Sequence, residues 1–211
     1  MFSYAFESST KPPSKAGSTA HTCKPPTPIC SRTCRITVLA LSAPNTDGWN
    51  KVRELEGQGP SHVVRYVHKG IAARISSILR GFRGPQTLRD LPRDQVAVRL
   101  AVLYADLDHA HGFYEGNSRT LREFTRCMAD AAGYTLDWTK GGIGAEARNT
   151  LYVARDVEVL ERFYPGLNEE RAMATDDRHE YQAWWHLEKL RRLRGENTLE
   201  RIFAQALTAK P

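Results

Sequence analysis

Two helical stripes broken by a short polar loop constrain this chain more than any other feature. After Asp90-Leu91-Pro92, the apolar positions Val96, Leu100, Leu103 and Leu107 recur in steps of four, three and four, the spacing of one helix face. The stripe stops at His109-Ala110-His111. It resumes after Ser118 with Leu121, Phe124, Met128 and Ala131, and Gly133 stands where a helix C′ residue belongs. Between the stripes lies His111-Gly112-Phe113-Tyr114-Glu115-Gly116-Asn117-Ser118-Arg119, which is too polar and too glycine-rich to continue either helix.

The rest of the chain is read around this pair. Ile71, Ile75, Ile78 and Leu79 predict an earlier helix ended by Gly81 and Gly84. Later helices are predicted over Leu151–Tyr164, ended by Pro165-Gly166, then over Tyr181–Leu193 and Leu199–Leu207. Residues 61–68 are β-branched, follow Gly59-Pro60 and read as a strand. The fold class is therefore all-α, with one or two short strands at its entrance. Residues 1–48 carry Lys-Pro-Pro runs with many Ser and Thr residues, a composition that cannot bury enough apolar surface to offset ordering. Within them, Arg35–Leu41 is a candidate edge strand. The organisation expected is a divergent or disordered tail over 1–48, a domain carrying the loop over 49–165, and C-terminal helices over 166–211 packed on the same domain.

Hydrophobic residues make up 41% of the 211 and charged residues 26%, the balance of an ordinary globular protein. No apolar run approaches the length of about 20 residues that spans a bilayer, and no secretory signal is recognised, so a cytoplasmic protein is expected. The net charge of +6 admits attraction to a polyanion. The basic residues alternate with acids along most of the chain, however, so solvated surface charge is the first expectation and nucleic acid is not an expected partner. The run Lys189–Arg194 suits a helix C-terminus. Cys23, Cys30 and Cys34 match no paired zinc knuckle, and Cys127 is expected in the core. Tyr181, Trp184 and Trp185 are expected to pack inward. Trp138 and Tyr152 either border a ligand or are simply buried. His109 is read as structural.

The loop carries chemistry on its residues alone. A glycine-bearing segment entering a helix N-terminus is an anion site, because free N–H groups and the helix dipole both favour negative charge. Arg119 and Arg122 lie three apart, on one face of the first turn, where they can clamp phosphate oxygens. Glu115 is at odds with phosphates unless a divalent cation stands between them, and Mg²⁺ is commonly held by one carboxylate together with phosphates. His111 titrates near neutrality and can take a proton from an attacking hydroxyl. These parts point to phosphoryl or nucleotidyl transfer.

The run H-G-F-Y-E-G-N-S-R-T-L-R resembles the signature of the Fic family, written HPFx(D/E)GN(G/K)R with a second arginine three residues on. It matches at His111, Phe113, Glu115, Gly116, Asn117, Arg119 and Arg122. The resemblance implies a helical domain with a small β-hairpin flap that transfers AMP from ATP to a Tyr, Ser or Thr hydroxyl of a target protein. By the same resemblance, His111 is the general base and Glu115 holds Mg²⁺. Gly116, Asn117 and Ser118 line the anion hole, Arg119 and Arg122 bind the β- and γ-phosphates, and Phe113 anchors the loop inward. Residues 63–67 correspond to a flap strand, while no counterpart of the family's early helix and tryptophan-containing turn is recognised in residues 1–58, so the first flap strand is expected to be missing or altered. Gly112 and Ser118 depart from the signature's proline and glycine.

Many family members carry an inhibitory motif of Ser or Thr, then Glu four residues on, followed by Gly or Asn. Here Glu56, Glu115 and Glu196 precede Gly or Asn, but Val52, His111 and Arg192 stand four before them. A toxin-type protein restrained by a separate small antitoxin is therefore expected. The alternatives are a Doc-like protein phosphotransferase, disfavoured by Gly-Asn-Ser-Arg in place of Ala-Asn-Lys-Arg, and a catalytically impaired interaction protein.

Overall fold

The computed structural model describes residues 50–54, 61–141 and 145–211. The tail, its candidate strand and Cys23, Cys30 and Cys34 lie outside the described residues.

The described chain is mainly helical. Strand β1 (Asn50–Arg53) pairs antiparallel with β2 (His62–Arg65), and α1 spans Ile71–Phe82. A 3₁₀ turn at Pro85–Leu88 leads to α2 (Arg93–Ala110), the loop, and α3 (Asn117–Ala131). Then come β3 (Tyr134–Leu136), α4 (Trp138–Gly141), α5 (Ala145–Phe163), α6 (Glu169–Ala174), α7 (Arg178–Arg194), α8 (Leu199–Ala206) and β4 (Leu207–Ala209). Strand β4 pairs antiparallel with β3.

Helix α2 is the axis of the fold, packing against α1, α3, α5 and α8. The stripe Val96, Leu100, Leu103 and Leu107 is buried, and so are Ala97, Ala101 and Ala105 beside it. Alanine on those flanks lets neighbouring helices approach closely. Tyr104, Trp138 and Phe203 form an aromatic knot with Phe203 5.0 Å from Trp138 and 5.8 Å from Tyr104, centroid to centroid. A second cluster joins α5 to α7 through Val153, Val157, Leu160, Leu187 and Leu190. Val64 and Tyr66 pack on Val159, seating β2 against α5.

Helix ends follow the local chemistry. Asp177 caps α7, accepting from the His179 N–H at 2.8 Å, and Thr198 caps α8 through the Arg201 N–H at 3.2 Å. Arg191, Arg192 and Arg194 occupy the last turn of α7, where their charge opposes the helix dipole. Gly133 follows the end of α3 with φ 89°, a backbone conformation that favours glycine. Cys127 is buried.

The structure corrects several sequence expectations. The first flap strand is present as β1. Its inward residues, Lys51 and Arg53, are cations rather than apolar groups, so the segment lacks the apolar alternation that marks a strand in sequence. Helix α1 runs through Gly81 to Phe82, and Arg83 takes the left-handed turn at φ 61°. The β3–β4 pair was not foreseen, since three-residue strands carry too little alternation to register. Of the aromatic trio on α7, only Trp184 is buried; Tyr181 and Trp185 are 39% and 48% exposed. Trp184 and Trp185 are consecutive, so one helix face cannot bury both.

Phe203 has no solvent exposure. Its replacement by Ala is expected to lower unfolding stability by about 3–5 kcal/mol, measured as a reduced urea midpoint followed by far-ultraviolet circular dichroism.

Candidate active site

The residues of the loop converge on one cavity of about 350 Å³. Helix α2 ends at His111, which adopts the left-handed conformation (φ 48°, ψ 57°) and donates its N–H to the Leu107 and Asp108 carbonyls. That reversal turns the chain out of the helix into the loop. Gly116, at φ 82°, turns it back into α3. No side chain caps α3 at Gly116, so the first-turn N–H groups remain available to an anion. Ser118 sits within regular helix, so the substitution for glycine costs no backbone strain there.

Asn117 closes the loop. Its Oδ1 accepts from the Phe113 N–H at 3.0 Å, and its Nδ2 donates to the Phe113 carbonyl at 2.5 Å and to His111 Nε2 at 3.1 Å. The Phe113 N–H fixes which end of the amide is oxygen, so the nitrogen faces His111. His111 Nε2 is therefore the acceptor nitrogen of a neutral imidazole. The ring is buried and lies 3.8 Å from the Tyr66 ring, tilted by 32°. Burial lowers the His111 pKa to about 4; Asp108 opposes that shift, while Lys51, Arg155 and Arg53 add to it.

His111, Glu115, Gly116, Asn117, Ser118, Arg119 and Arg122 all line the cavity. Phe113 faces the other way, into a smaller apolar cavity with Ile75, Leu79, Leu107, Leu121 and Phe124. Of the two aromatic candidates, Tyr152 lines the main cavity, whereas Trp138 belongs to the core and donates Nε1–H to the Arg122 carbonyl at 3.1 Å. His109 is buried edge-on to Phe163 at 6.2 Å. Among the described residues, no group of three His, Cys, Asp or Glu side chains is placed to hold a metal. An ion here would need ligands from a bound phosphate beside Glu115, which agrees with the solvent-exposed position of that carboxylate.

Lys51, Arg53 and Arg155 also line the cavity, and the sequence reading missed all three. Arg155 and Asp156 are consecutive residues of α5, each buried to within 2%. Arg155 makes a two-pronged pair with Asp108, Nε to Oδ2 at 2.9 Å and Nη2 to Oδ1 at 2.7 Å. Burial alone would raise the Asp108 carboxyl, but the Arg155 charge and hydrogen bonds hold it below the usual carboxylate range. Asp156 accepts Arg53 Nε at 2.7 Å and His62 Nε2 at 2.9 Å. A charged pair inside the apolar run from Tyr152 to Leu160 was the available signal.

The cavity, its helix-entry loop and the residue pattern around it define a protein resembling the Fic family. A 55-residue stretch, 26% of this chain and 12% of the relative, is 42% identical to protein adenylyltransferase VbhT of Bartonella schoenbuchensis. The chain thus spans about an eighth of that relative's length. Among solved structures, 76% of the chain superposes on 57% of BepC, a VirB-translocated effector protein of Bartonella tribocorum with bound AMPPNP (TM-score 0.46, 16% identity). It also superposes on 62% of the N-terminal Fic domain of a VirB-translocated Bep effector protein of Bartonella quintana with bound ADP (TM-score 0.42, 19% identity). No family model matches the chain. Loop and local identity together support a Fic-family protein.

Two expectations follow. A Cβ at Gly112 would stand 2.7 Å from Ile75 Cδ1, so Gly112→Ala should cost about 1 kcal/mol in the native background and little when Ile75 is shortened to Val; thermal unfolding of the four chains tests this. His109 and His111 both have pKa values lowered to about 4, so the unfolded chain binds more protons than the folded one below about pH 6.5. Stability is therefore full above that pH and falls as pH drops toward 4. His109→Gln should remove about 2 kcal/mol of the loss between pH 7 and pH 5, read from urea titrations at both values.

Proposed function

We propose that this chain transfers AMP from ATP to a hydroxyl side chain of a target protein. The observation that carries this reading is the convergence on one cavity of a neutral imidazole, an exposed carboxylate, an uncapped helix N-terminus, and Arg119 and Arg122, which are in no ion pair among the described residues. In it, Gly116, Asn117 and Ser118 present the α3 amides to the phosphates, while Arg119 and Arg122 neutralise the β- and γ-phosphates. Glu115 is the residue that would hold Mg²⁺, and a bound ion would offset charge on the phosphate oxygens. His111 takes the proton of the target Tyr, Ser or Thr hydroxyl on Nε2, whose lone pair Asn117 Nδ2 must first release. The hydroxyl oxygen then bonds to the α-phosphorus, the α–β bridging bond breaks, and pyrophosphate leaves. Because the His111 pKa lies well below neutrality, the imidazole is already the unprotonated base at pH 7.

The adenylyltransferase named among the relatives supports AMP transfer over γ-phosphate transfer. We infer toxin-type action in the cytoplasm with restraint by a separate small antitoxin, since none of the three glutamates that precede Gly or Asn within these 211 residues has Ser or Thr four before it. No helix among the described residues is long and apolar enough to cross a membrane.

The test uses ATP labelled at the α- or the γ-phosphate together with candidate targets. Label moving only from the α position is expected; movement only from γ means phosphotransfer, and movement from neither means an interaction protein. His111→Ala should reduce transfer by about 10²–10⁴-fold with Mg-ATP affinity nearly unchanged, whereas Arg122→Ala should weaken Mg-ATP binding by about 10-fold or more.

A further inference from the structure

The cavity has a wall that the loop does not supply. Strand β1 alternates, with Val52 69% exposed and Lys51 and Arg53 facing the cavity, as residues two apart on a strand must share a face. The two inward cations differ in their partners. Arg53 is fixed, with Nε on Asp156 and Nη2 donating to the Tyr66 hydroxyl at 3.3 Å. His62, directly opposite Arg53 in the β1–β2 register, holds the same carboxylate. One buried side chain of α5 thus ties both strands down at that position. Lys51 lies two residues along, about 7 Å by strand geometry, and is in no ion pair among the described residues.

The charges sort accordingly. Of the five cations around the cavity, Arg53 and Arg155 are neutralised by Asp156 and Asp108. Lys51, Arg119 and Arg122 are in no ion pair among the described residues, and Glu115 is the one acid among the lining residues. Arg119 and Arg122 come from α3, while Lys51 comes from the opposite wall. Burial and then the neighbouring Arg53 lower the Lys51 pKa, with Glu115 opposing the shift.

We propose that Lys51 is a phosphate-binding residue contributed by the flap, so that a bound polyphosphate bridges α3 to β1 and holds the flap strand in place. This rests on the nucleotide reading above and extends it: the flap is part of the nucleotide site, and its order depends on nucleotide.

The experiment measures binding of Mg-ATP and of inorganic tripolyphosphate by calorimetry, and amide hydrogen exchange over residues 50–53 with and without each ligand. Lys51→Met is expected to weaken both ligands by about 10-fold and to abolish ligand-induced protection of β1. Lys51→Arg should retain both effects. Lys69→Met, which removes the same charge from an exposed loop, should bind like the native chain. Equal affinity of Lys51→Met and native protein, or β1 exchange that ligand does not slow in the native chain, overturns the inference and leaves the nucleotide reading intact. A Lys69→Met loss matching that of Lys51→Met overturns it in favour of a general charge effect. A native chain that binds neither ligand brings down both.

Discussion

The buried pair between Asp108 and Arg155 is the interaction on which the site depends. Asp108 lies three residues before His111, at the end of the central helix, and Arg155 lies midway along α5. Two charges taken out of water are costly unless each is fully partnered, and removing one member of such a pair typically costs about 3–5 kcal/mol because the other is left stranded. The two-pronged geometry meets that demand. It also locks the C-terminus of α2 in rotation, which sets where the chain turns at His111. Arg155 is clasped further by the Tyr104 and Tyr152 rings, at 5.6 and 5.5 Å.

This arrangement gives the positive cavity a division of labour. Guanidinium groups that are paired, Arg53 and Arg155, act as struts: their charges are matched by buried carboxylates and their positions are fixed. Arg119 and Arg122 on α3 and Lys51 on β1, which have no ion pair among the described residues, account for the attraction an anion would feel. Glu115 alone opposes them among the lining residues. A site made of cations alone would repel itself. Here the repulsion is limited because the buried cations carry their own counterions.

The loop and its two helices were legible in the sequence because both signals were strong and local. The α2 and α3 stripes obey helical spacing, and the residues from His111 to Arg122 carry their chemistry within a dozen positions. What was not legible came from elsewhere in the chain. Lys51 and Arg53 sit in a strand whose inward face is cationic, so the usual apolar alternation is missing. Arg155 and Asp156 have partners 47 and 94 residues away, a pairing that no local pattern encodes. Tyr181, Trp184 and Trp185 read as a core cluster at helical spacing, whereas the phase of α7 buries only Trp184. Conversely, Asn117 was read as part of the anion hole, and the structure gives its side chain a second occupation in holding the Phe113 backbone and the His111 ring.

That Arg155 and Asp156 are adjacent has a consequence for how the sequence of α5 can drift. Arg155 faces the helix that ends at His111 and Asp156 faces the β1–β2 hairpin, so a single stretch of α5 backbone indexes two separate walls. A one-residue insertion or deletion in the preceding turns would rotate the downstream helix by about 100° and sever both attachments together. Point substitutions, by contrast, act on one wall at a time. Length in this segment should therefore be far less negotiable than residue identity, and the tolerated gaps in related chains should fall in the connections on either side of α5.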